Sequence, residues 1–285
     1  MDNVLIKPVK SGRELLDEIE NTQITRGAVI WWLGQSGYAI KTANAMLYID
    51  LYLSERLTEK YKDAANPHIR MTQAPFRGGD VKNADVVLST HKHTDHMDPQ
   101  TMPDLLRSSP GALYILPKAH IGYVTGWGLD STRLVPAVAD KPVNIGDVTI
   151  IPQPARHENF DYTEADGYPH MSYIIKTEGV TLYHSGDTLP YNGMVQRLAG
   201  VDAALLPING RDARRHSFGT PGNCTMEEAL CVAELAGIKL LIPHHYDMFT
   251  FNTVDIAEFE VKARELYPEL PVCVLRCGEK KLLEF

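Results

Sequence analysis

The sequence predicts an α/β (α+β) protein in which two β-sheets pack together with helices outside. Short apolar runs bounded by turn residues recur along the 285 residues, first as strands alone and then as strands mixed with helices. That order favours two packed sheets with helices on the outer faces. No low-complexity linker and no repeat of fixed period interrupts the chain, and 44% of it is hydrophobic. Residues 1–285 are therefore expected to form one domain with a full core.

The strands are predicted from apolar runs of four to six residues or slightly shorter, each ended by turn-forming residues. In chain order, the predicted strands are Ala28–Leu33, Tyr38–Ile40, Met46–Ile49, Asp85–Ser89, Leu113–Leu116, Val148–Ile151, Ser172–Ile175, Thr181–Tyr183, Ala203–Leu206, Leu240–Ile242 and Val272–Leu275.

Four helices are predicted from amphipathic spacing and capping residues. The run Arg13–Ile19 is amphipathic, and a second helix is expected to begin at Asp98, with Pro99 at its first position. Thr225 and Glu228 have the spacing of a capping box, so the third helix should run to Ala236 and end at Gly237. The fourth is predicted over Thr253–Leu266, before Pro268.

Composition excludes several classes of function. The formal net charge is −8, and no basic stripe of the kind that follows a nucleic-acid backbone is present. No apolar run is long enough to span a membrane, and the N-terminal MDNVLIKPVK lacks the apolar core of a signal peptide. The four cysteines form no CxxC pair and are interpreted as buried free thiols. These features favour a cytoplasmic protein that binds neither membrane nor nucleic acid.

The stretch STHKHTDH, residues 89–96, is the strongest functional signal. It follows the apolar strand Val86–Leu88, and side chains two apart in an extended chain point the same way, so His91 and His93 can reach one point. Asp95 and His96 follow as the chain turns and can reach a second point close by. Imidazole and carboxylate are suitable ligands for zinc, manganese or iron. The spacing HxHxDH at a strand end therefore predicts a metal site with one or two divalent ions.

Four ligands shared between two ions give each ion too few ligands, so further ligands must come from other strand ends. His157, Asp187 and His245 each follow an apolar run, in PARHEN, LYHSGDT and IPHHYD. His184 and His244 stand beside these positions and are interpreted as packing or supporting residues.

This set of motifs resembles the metallo-β-lactamase fold, an αββα sandwich of two mixed sheets with the site at one edge. The resemblance spans about Trp32 to Phe259. It implies that one ion is held by His91, His93 and His157. The other ion would be held by Asp95, His96 and His245. Asp187 would bridge the two ions.

A narrower resemblance concerns one branch of that fold. The segments RHENFDYTEADGYPHMSYIIKT, YHSGDT, LLPINGRD, NCTMEEA and PHHYDMFTFNTVD resemble the L-ascorbate-6-phosphate lactonases. This resemblance implies a cytoplasmic homo-oligomer that uses Mn²⁺, with Zn²⁺ or Fe²⁺ as alternatives, to hydrolyse a small anionic sugar lactone. Two ions about 3.5–4 Å apart would acidify a shared water, and the resulting hydroxide would attack the carbonyl. Asp95 would orient that hydroxide or carry its proton to the leaving group.

Substrate contacts are sought at another strand end. Asn209, Arg211 and Arg214 follow the run Ala203–Ile208, and arginine suits a bidentate grip on phosphate or carboxylate. The alternative is a surface salt-bridge network with Asp212.

Two tyrosines are further candidates. Tyr162, in the aromatic and acidic segment 160–168, and Tyr246, beside His245, could hydrogen-bond a substrate hydroxyl. Segment 160–168 is equally interpretable as a surface loop.

Two other functions remain compatible with the motifs. A phosphodiesterase of the same fold would use the same ligands but needs a basic groove. An oligomeric scaffold that keeps a metal without catalysis is the second alternative. The roles of Arg70 and Arg77 stay open at this level.

Overall fold

The computed structural model describes residues 5–285, so the first four residues of the segment predicted to lack a signal peptide lie outside it. The strands are β1 (Ala28–Trp32), β2 (Tyr38–Lys41), β3 (Met46–Ile49), β4 (Val86–Leu88), β5 (Leu113–Pro117), β6 (Leu134–Ala137), β7 (Val143–Ile145), β8 (Val148–Pro154), β9 (Met171–Thr177), β10 (Val180–His184), β11 (Ala203–Pro207), β12 (Leu240–His244) and β13 (Lys280–Leu283). The α-helices are α1 (Gly12–Asn21), α2 (Arg56–Lys60), α3 (Thr101–Ser108), α4 (Ile121–Thr125), α5 (Met194–Arg197), α6 (Ala213–Ser217), α7 (Met226–Leu235) and α8 (Ile256–Leu266). Short 3₁₀ turns cover Gly78–Asp80, Lys118–His120 and Ser131–Arg133.

The strands form two mixed sheets, as predicted. The seven-stranded sheet has the order β13-β1-β2-β3-β4-β5-β6, and β3 to β6 run parallel to one another. The six-stranded sheet has the order β12-β11-β10-β9-β8-β7, and β10 to β12 are parallel. Strands β8 and β10 also point the same way, because both are antiparallel to β9.

The inner faces of the two sheets share one hydrophobic core. Ile30, Leu47 and Leu88 from the first sheet belong to the same buried cluster as Ile150 and Leu182 from the second. Alternate residues of the first sheet face a separate cluster with helices α1, α3 and α4. Helices α7 and α8 contribute Leu230 and Phe259 to the core around the second sheet. Strands covered on both faces read as continuous apolar runs, which is why they were recognisable in the sequence.

The predicted helices are present with shifted boundaries. Helix α3 begins at Thr101, although the Asp98 carboxylate does accept the Gln100 N–H at 2.9 Å. Thr225 and Glu228 form the predicted capping box of α7. Helix α8 begins at Ile256, capped by Asp255, rather than at Thr253.

One predicted strand is wrong and three observed strands were not predicted. In the segment 272–275 only Val272 makes a bridge, to Leu241, so this segment lies beside β12 without forming a ladder. The unpredicted strands β6, β7 and β13 are all edge strands. Edge strands carry proline and charged residues that blunt further pairing, and this weakens their apolar signal.

The helices are short. Across residues 5–285, no helix is both long enough and apolar enough to cross a bilayer. The topology instead gathers the carboxyl ends of β3, β4, β8, β10 and β12 at one edge of the sandwich, where side chains from both sheets can meet.

Candidate metal centre

The HxHxDH loop is folded tightly against the end of β4. The Ser89 hydroxyl donates to the His96 carbonyl at 2.9 Å, and the Tyr173 hydroxyl of β9 donates to the Ser89 carbonyl at 2.8 Å. The Met171 amide donates to the Thr90 carbonyl at 2.9 Å. The loop is therefore fixed by contacts from its own strand and from the opposite sheet.

Two groups of potential ligands meet at this edge. His91, His93, His157 and Asp187 form one group, and Asp95, His96 and His245 form the other. Within each group the donor atoms lie within 4.8 Å of one another. All seven residues predicted as ligands are thus brought together, and the five histidines and Asp95 divide between the two groups as the resemblance implied, with Asp187 in the first group.

Asp187 lies between the two groups. Its Oδ1 is 3.2 Å from His96 Nε2 and 3.5 Å from His245 Nε2, and its Oδ2 is 3.9 Å from His157 Nε2. Asp95 Oδ2 is 3.8 Å from the Nε2 atoms of both His96 and His245. The Asp187 carboxylate therefore lies where its two oxygen atoms can contribute to both groups.

The donor atoms fit divalent cations. Among residues 5–285, the buried His91 Nε2 has no hydrogen-bond partner, and His96 Nε2 and Asp187 Oδ1, 3.2 Å apart, find no partner of good hydrogen-bond geometry. Buried polar atoms are rarely left unpaired, because the loss of solvation is not compensated. Clustered imidazole nitrogen and carboxylate oxygen atoms are the usual ligands of zinc, manganese and iron. The two groups can therefore hold divalent ions, and the donor types do not select one metal.

The electrostatics differ between the two groups. Burial lowers the pKa of His157 to about 3 and also lowers the pKa of His91 well below its usual value. Both rings are therefore neutral, which is the form that binds a metal. Burial alone would lower the pKa of His96, but the carboxylates of Asp187, Asp50 and Asp95 together raise it well above the usual value. These carboxylates favour positive charge at His96, and a bound cation would supply that charge in place of the proton.

Asp50 is the buried carboxylate that orients His96. Its Oδ2 accepts from His96 Nδ1 at 2.7 Å and from the Thr90 hydroxyl at 2.6 Å, while its Oδ1 accepts the Thr90 N–H at 2.8 Å. With Nδ1 protonated and held, Nε2 of His96 is left free for a metal. Sequence reasoning missed Asp50, although it follows β3 immediately, closer to its strand end than Asp187 is to the end of β10.

Gln35 is a second supporting residue that sequence reasoning missed. Its Nε2 donates to Asp95 Oδ2 at 2.8 Å and lies 3.1 Å from His245 Nε2. Gln35, Asp50 and His245 all have positive φ, at 53°, 49° and 66°. Such backbone strain in non-glycine residues concentrates at functional sites.

His184 and His244 support the site from behind, as predicted. Their rings stack at 5.3 Å, and both residues are fully buried. His244 contacts the hydroxyls of Ser36 and Ser185 at 3.0 and 3.2 Å. His184 Nε2 donates to the Ser36 carbonyl at 2.8 Å, so neither ring has a nitrogen left for a metal at the cluster.

The two arginines with open roles lie outside the cluster. Arg70 is buried and donates to the carbonyls of Thr72 and Ser54 at 2.6 and 2.8 Å. Arg77 precedes the turn at Gly78–Asp80, and its N–H donates to Asp80 at 3.0 Å. Both contacts stabilise loops.

A cavity of about 620 Å³ opens above the cluster. His93, Asp95, His157, Asp187 and His245 border it together with residues of three other segments. These residues lie within the segments 57–68, 218–221 and 249–252, and Lys92, Thr94 and Tyr123 complete the border. A cavity of this size suits a small organic molecule.

Three of the predicted substrate contacts belong to the segment after β11, and none of them borders the cavity. Asn209 is buried and bonds Asn252 and Asn223 at 2.8 and 3.0 Å. Arg211 is paired through both terminal nitrogens with Glu228 rather than with Asp212. Arg214 is exposed on α6 and lies outside the cavity border.

The two tyrosine candidates are also placed away from the cavity. Tyr246 is a correction, because its ring is buried and its hydroxyl donates to the Leu275 carbonyl. Tyr162 is 57% exposed and packs against Tyr168, with ring centroids 4.9 Å apart. Segment 160–168 does not border the cavity, which agrees with the surface-loop alternative.

Comparison with known proteins places this architecture in a family. A family model described as "Beta-lactamase superfamily domain" matches residues 61–246, more than half of the chain. The chain belongs to the metallo-β-lactamase superfamily.

Several proteins that are similar to this chain are described as hydrolases. A "UPF0173 metal-dependent hydrolase" of Rubrobacter xylanophilus is 28% identical over 262 residues, covering 89% of this chain and 96% of that protein. A "Probable L-ascorbate-6-phosphate lactonase UlaG" of Escherichia fergusonii is 26% identical over 286 residues, covering 88% of this chain and 78% of that protein. Among solved structures, Igni18, a metallo hydrolase of Ignicoccus hospitalis, matches with a TM-score of 0.65 and 24% identity over 90% of this chain and 99% of that one. The last likeness confirms the fold.

Asp50→Asn tests whether the buried carboxylate supports a metal ligand. Loss of the charge that orients His96 should weaken divalent metal binding by about 10- to 100-fold. The dissociation constant for Mn²⁺, measured by calorimetric titration of the metal-depleted protein, is the readout. Asp202→Asn is the matched control, because that carboxylate accepts the Thr181 N–H at 2.7 Å in the second sheet. Equal metal affinity in both variants would contradict the role of Asp50.

Gly186→Ala tests the close approach that positions Asp187. Gly186 has φ of +57°, and a Cβ there would lie 2.6 Å from the Thr90 side chain. The free energy of unfolding of the variant should fall by more than the roughly 1–2 kcal/mol that an alanine in the left-handed conformation costs by itself. The variant should also bind Mn²⁺ more weakly. Gly167→Ala is the control, because its φ is +74° but no atom lies within 4 Å. Chemical unfolding and metal titration of both variants give the comparison, and equal losses in the two would refute the packing argument.

Proposed function

We propose that this metal-dependent hydrolase opens the ring of a small anionic sugar lactone, with L-ascorbate 6-phosphate as the first candidate. The observation that carries the proposal is that five of the seven cluster residues border a cavity that also exposes two lysines. The similarity to a lactonase over 88% of the chain supports this choice of substrate.

Divalent ions bound at the cluster would acidify a water and polarise the lactone carbonyl. Mn²⁺ is the expected metal by resemblance, and Zn²⁺ or Fe²⁺ would suit the same donors. His91, His93, His157 and Asp187 would hold one ion. Asp95, His96 and His245 would hold the other, with Asp187 shared.

Asp95 is the residue we assign to proton transfer. It borders the cavity, and Gln35 holds its Oδ2 in place with a 2.8 Å hydrogen bond. Burial alone would raise the pKa of Asp95, but His96 and His245 keep it below its usual value. The carboxylate is therefore ionised and can accept a proton from the attacking water. It can then return that proton to the ring oxygen as the acyl C–O bond breaks, giving the open hydroxy acid.

The first test is hydrolysis of L-ascorbate 6-phosphate by the purified protein with added Mn²⁺. Loss of the enediol absorbance and mass spectrometry of the ring-opened acid are the readouts. Asp95→Asn should lower kcat by about 10²-fold or more, as expected for loss of a general acid–base group. Asp104→Asn is the control, because that exposed carboxylate lies on α3 and pairs with Arg107.

Two results would contradict parts of the proposal. Turnover by Asp95→Asn within twofold of the parent would remove Asp95 from the chemistry. A metal-loaded protein that leaves L-ascorbate 6-phosphate intact would exclude this substrate. Metal content is measured in each variant, so that a loss of metal is not mistaken for a loss of proton transfer.

A further inference from the structure

Lys60 and Lys92 border the cavity above the cluster. Both side chains are exposed, and within residues 5–285 neither forms an ion pair. Lys62, two residues beyond Lys60, points its charge at Asp63 at 3.9 Å and is absent from the cavity border. In a chain of net charge −8, two ammonium groups without an ion-pair partner in residues 5–285 therefore lie at the border of the cavity above the cluster.

The carboxylates of the cavity do not neutralise these lysines. Asp187 lies 3.2 Å from His96 and 3.5 Å from His245, and Asp95 lies 3.8 Å from the same two rings. Both carboxylates lie next to the imidazole rings of the cluster. The two ammonium groups are therefore available to an anion that enters the cavity.

A group of aromatic rings stands beside Lys60. The Lys60 Nζ lies 4.7 Å from the ring centroid of Tyr61, and Tyr61 stacks on His68 with centroids 4.2 Å apart. His68 in turn packs at 4.5 Å against Phe251 and at 5.3 Å against Phe249. All of these residues border the cavity. Flat aromatic surfaces of this kind pack against the planar or apolar parts of a small ligand.

The aromatic group is held in place by the chain around it. The Leu57 N–H donates to the Tyr52 hydroxyl at 3.0 Å, and the Thr58 hydroxyl donates to the His68 carbonyl at 2.9 Å. His68 Nδ1 lies 3.2 Å from the Asn66 carbonyl. These contacts tie both ends of residues 57–68 together, so Lys60, Tyr61 and His68 form one preformed wall.

We propose that residues 57–68 with Lys92 form the substrate-recognition wall of this enzyme. Lys60 and Lys92 bind a phosphate monoester on the substrate, and the rings of Tyr61, His68 and Phe251 pack against its flat part. A phosphate monoester is favoured over a single carboxylate because it carries nearly two negative charges, which matches two ammonium groups. These residues take the place of Arg211 and Arg214, whose segment lies outside the cavity. The inference rests on the proposed function for the reacting part of the substrate, but the phosphate subsite can be measured without it.

The test is calorimetric titration of the metal-loaded protein with D-ribose 5-phosphate, which carries the phosphate monoester but no lactone. Lys60→Gln and Lys92→Gln should each weaken binding by about tenfold or more, as expected for loss of a charge-assisted contact. Lys62→Gln is the matched control and should stay within twofold of the parent. Binding of D-ribose, which lacks the phosphate, should not respond to Lys60→Gln. Metal content is checked in Lys92→Gln, since that residue lies between two ligands.

The same variants separate this inference from the proposed function. If L-ascorbate 6-phosphate is hydrolysed, Lys60→Gln should raise its KM about tenfold, change kcat little and leave hydrolysis of unphosphorylated L-ascorbate unchanged. If no lactone is hydrolysed but Lys60→Gln still weakens ribose 5-phosphate binding, the subsite stands and the lactonase assignment fails. Binding within twofold of the parent in Lys60→Gln, or no binding of ribose 5-phosphate to the parent, overturns the inference.

Discussion

This structure depends on a group of buried nitrogen and oxygen atoms that can bind a metal and that the protein leaves without good hydrogen bonds. His91 Nε2, His96 Nε2 and Asp187 Oδ1 lie at one edge of the sandwich, and a buried polar atom such as His91 Nε2 costs about 1–3 kcal/mol if it remains unpaired. A cation at the cluster removes that cost for several atoms at once. Both sheets help to position the atoms of this cluster. Two sheets bring their strand ends to one edge, Gly186 passes close to Thr90, and Asp50 fixes the orientation of the His96 ring.

The candidate ligands could be picked out of the sequence because they follow largely apolar strands. His91, Asp187 and His245 are polar residues placed shortly after the ends of apolar strands, and such contrast is visible without a structure. Asp50 follows β3 in the same way and could have been found by the same rule. Gln35 offered no comparable signal, since it lies in a glycine-bounded turn that is typical of any strand connection. The supporting residues were harder to predict because they act through backbone geometry and distant contacts.

Edge strands and the substrate contacts were the parts that local patterns could not predict. Strands β6, β7 and β13 carry the polar and proline residues of sheet edges, and Val272–Leu275 is apolar without joining a ladder. Arg211 was a reasonable candidate for an anion contact, yet it pairs with Glu228, 17 positions away. Whether a surface charge meets a partner or a cavity depends on tertiary placement. The cavity wall comes from residues 57–68, a segment whose composition alone does not distinguish a binding surface from a loop.

The most direct test of the metal centre is the anomalous scattering of crystals grown with Mn²⁺, recorded near the manganese absorption edge. We expect two peaks, one among His91, His93 and His157 and one among Asp95, His96 and His245, with Asp187 in contact with both. Crystals that show no anomalous peak at the cluster, with the buried nitrogen atoms bonded only to water, would contradict the identification of these residues as a metal centre.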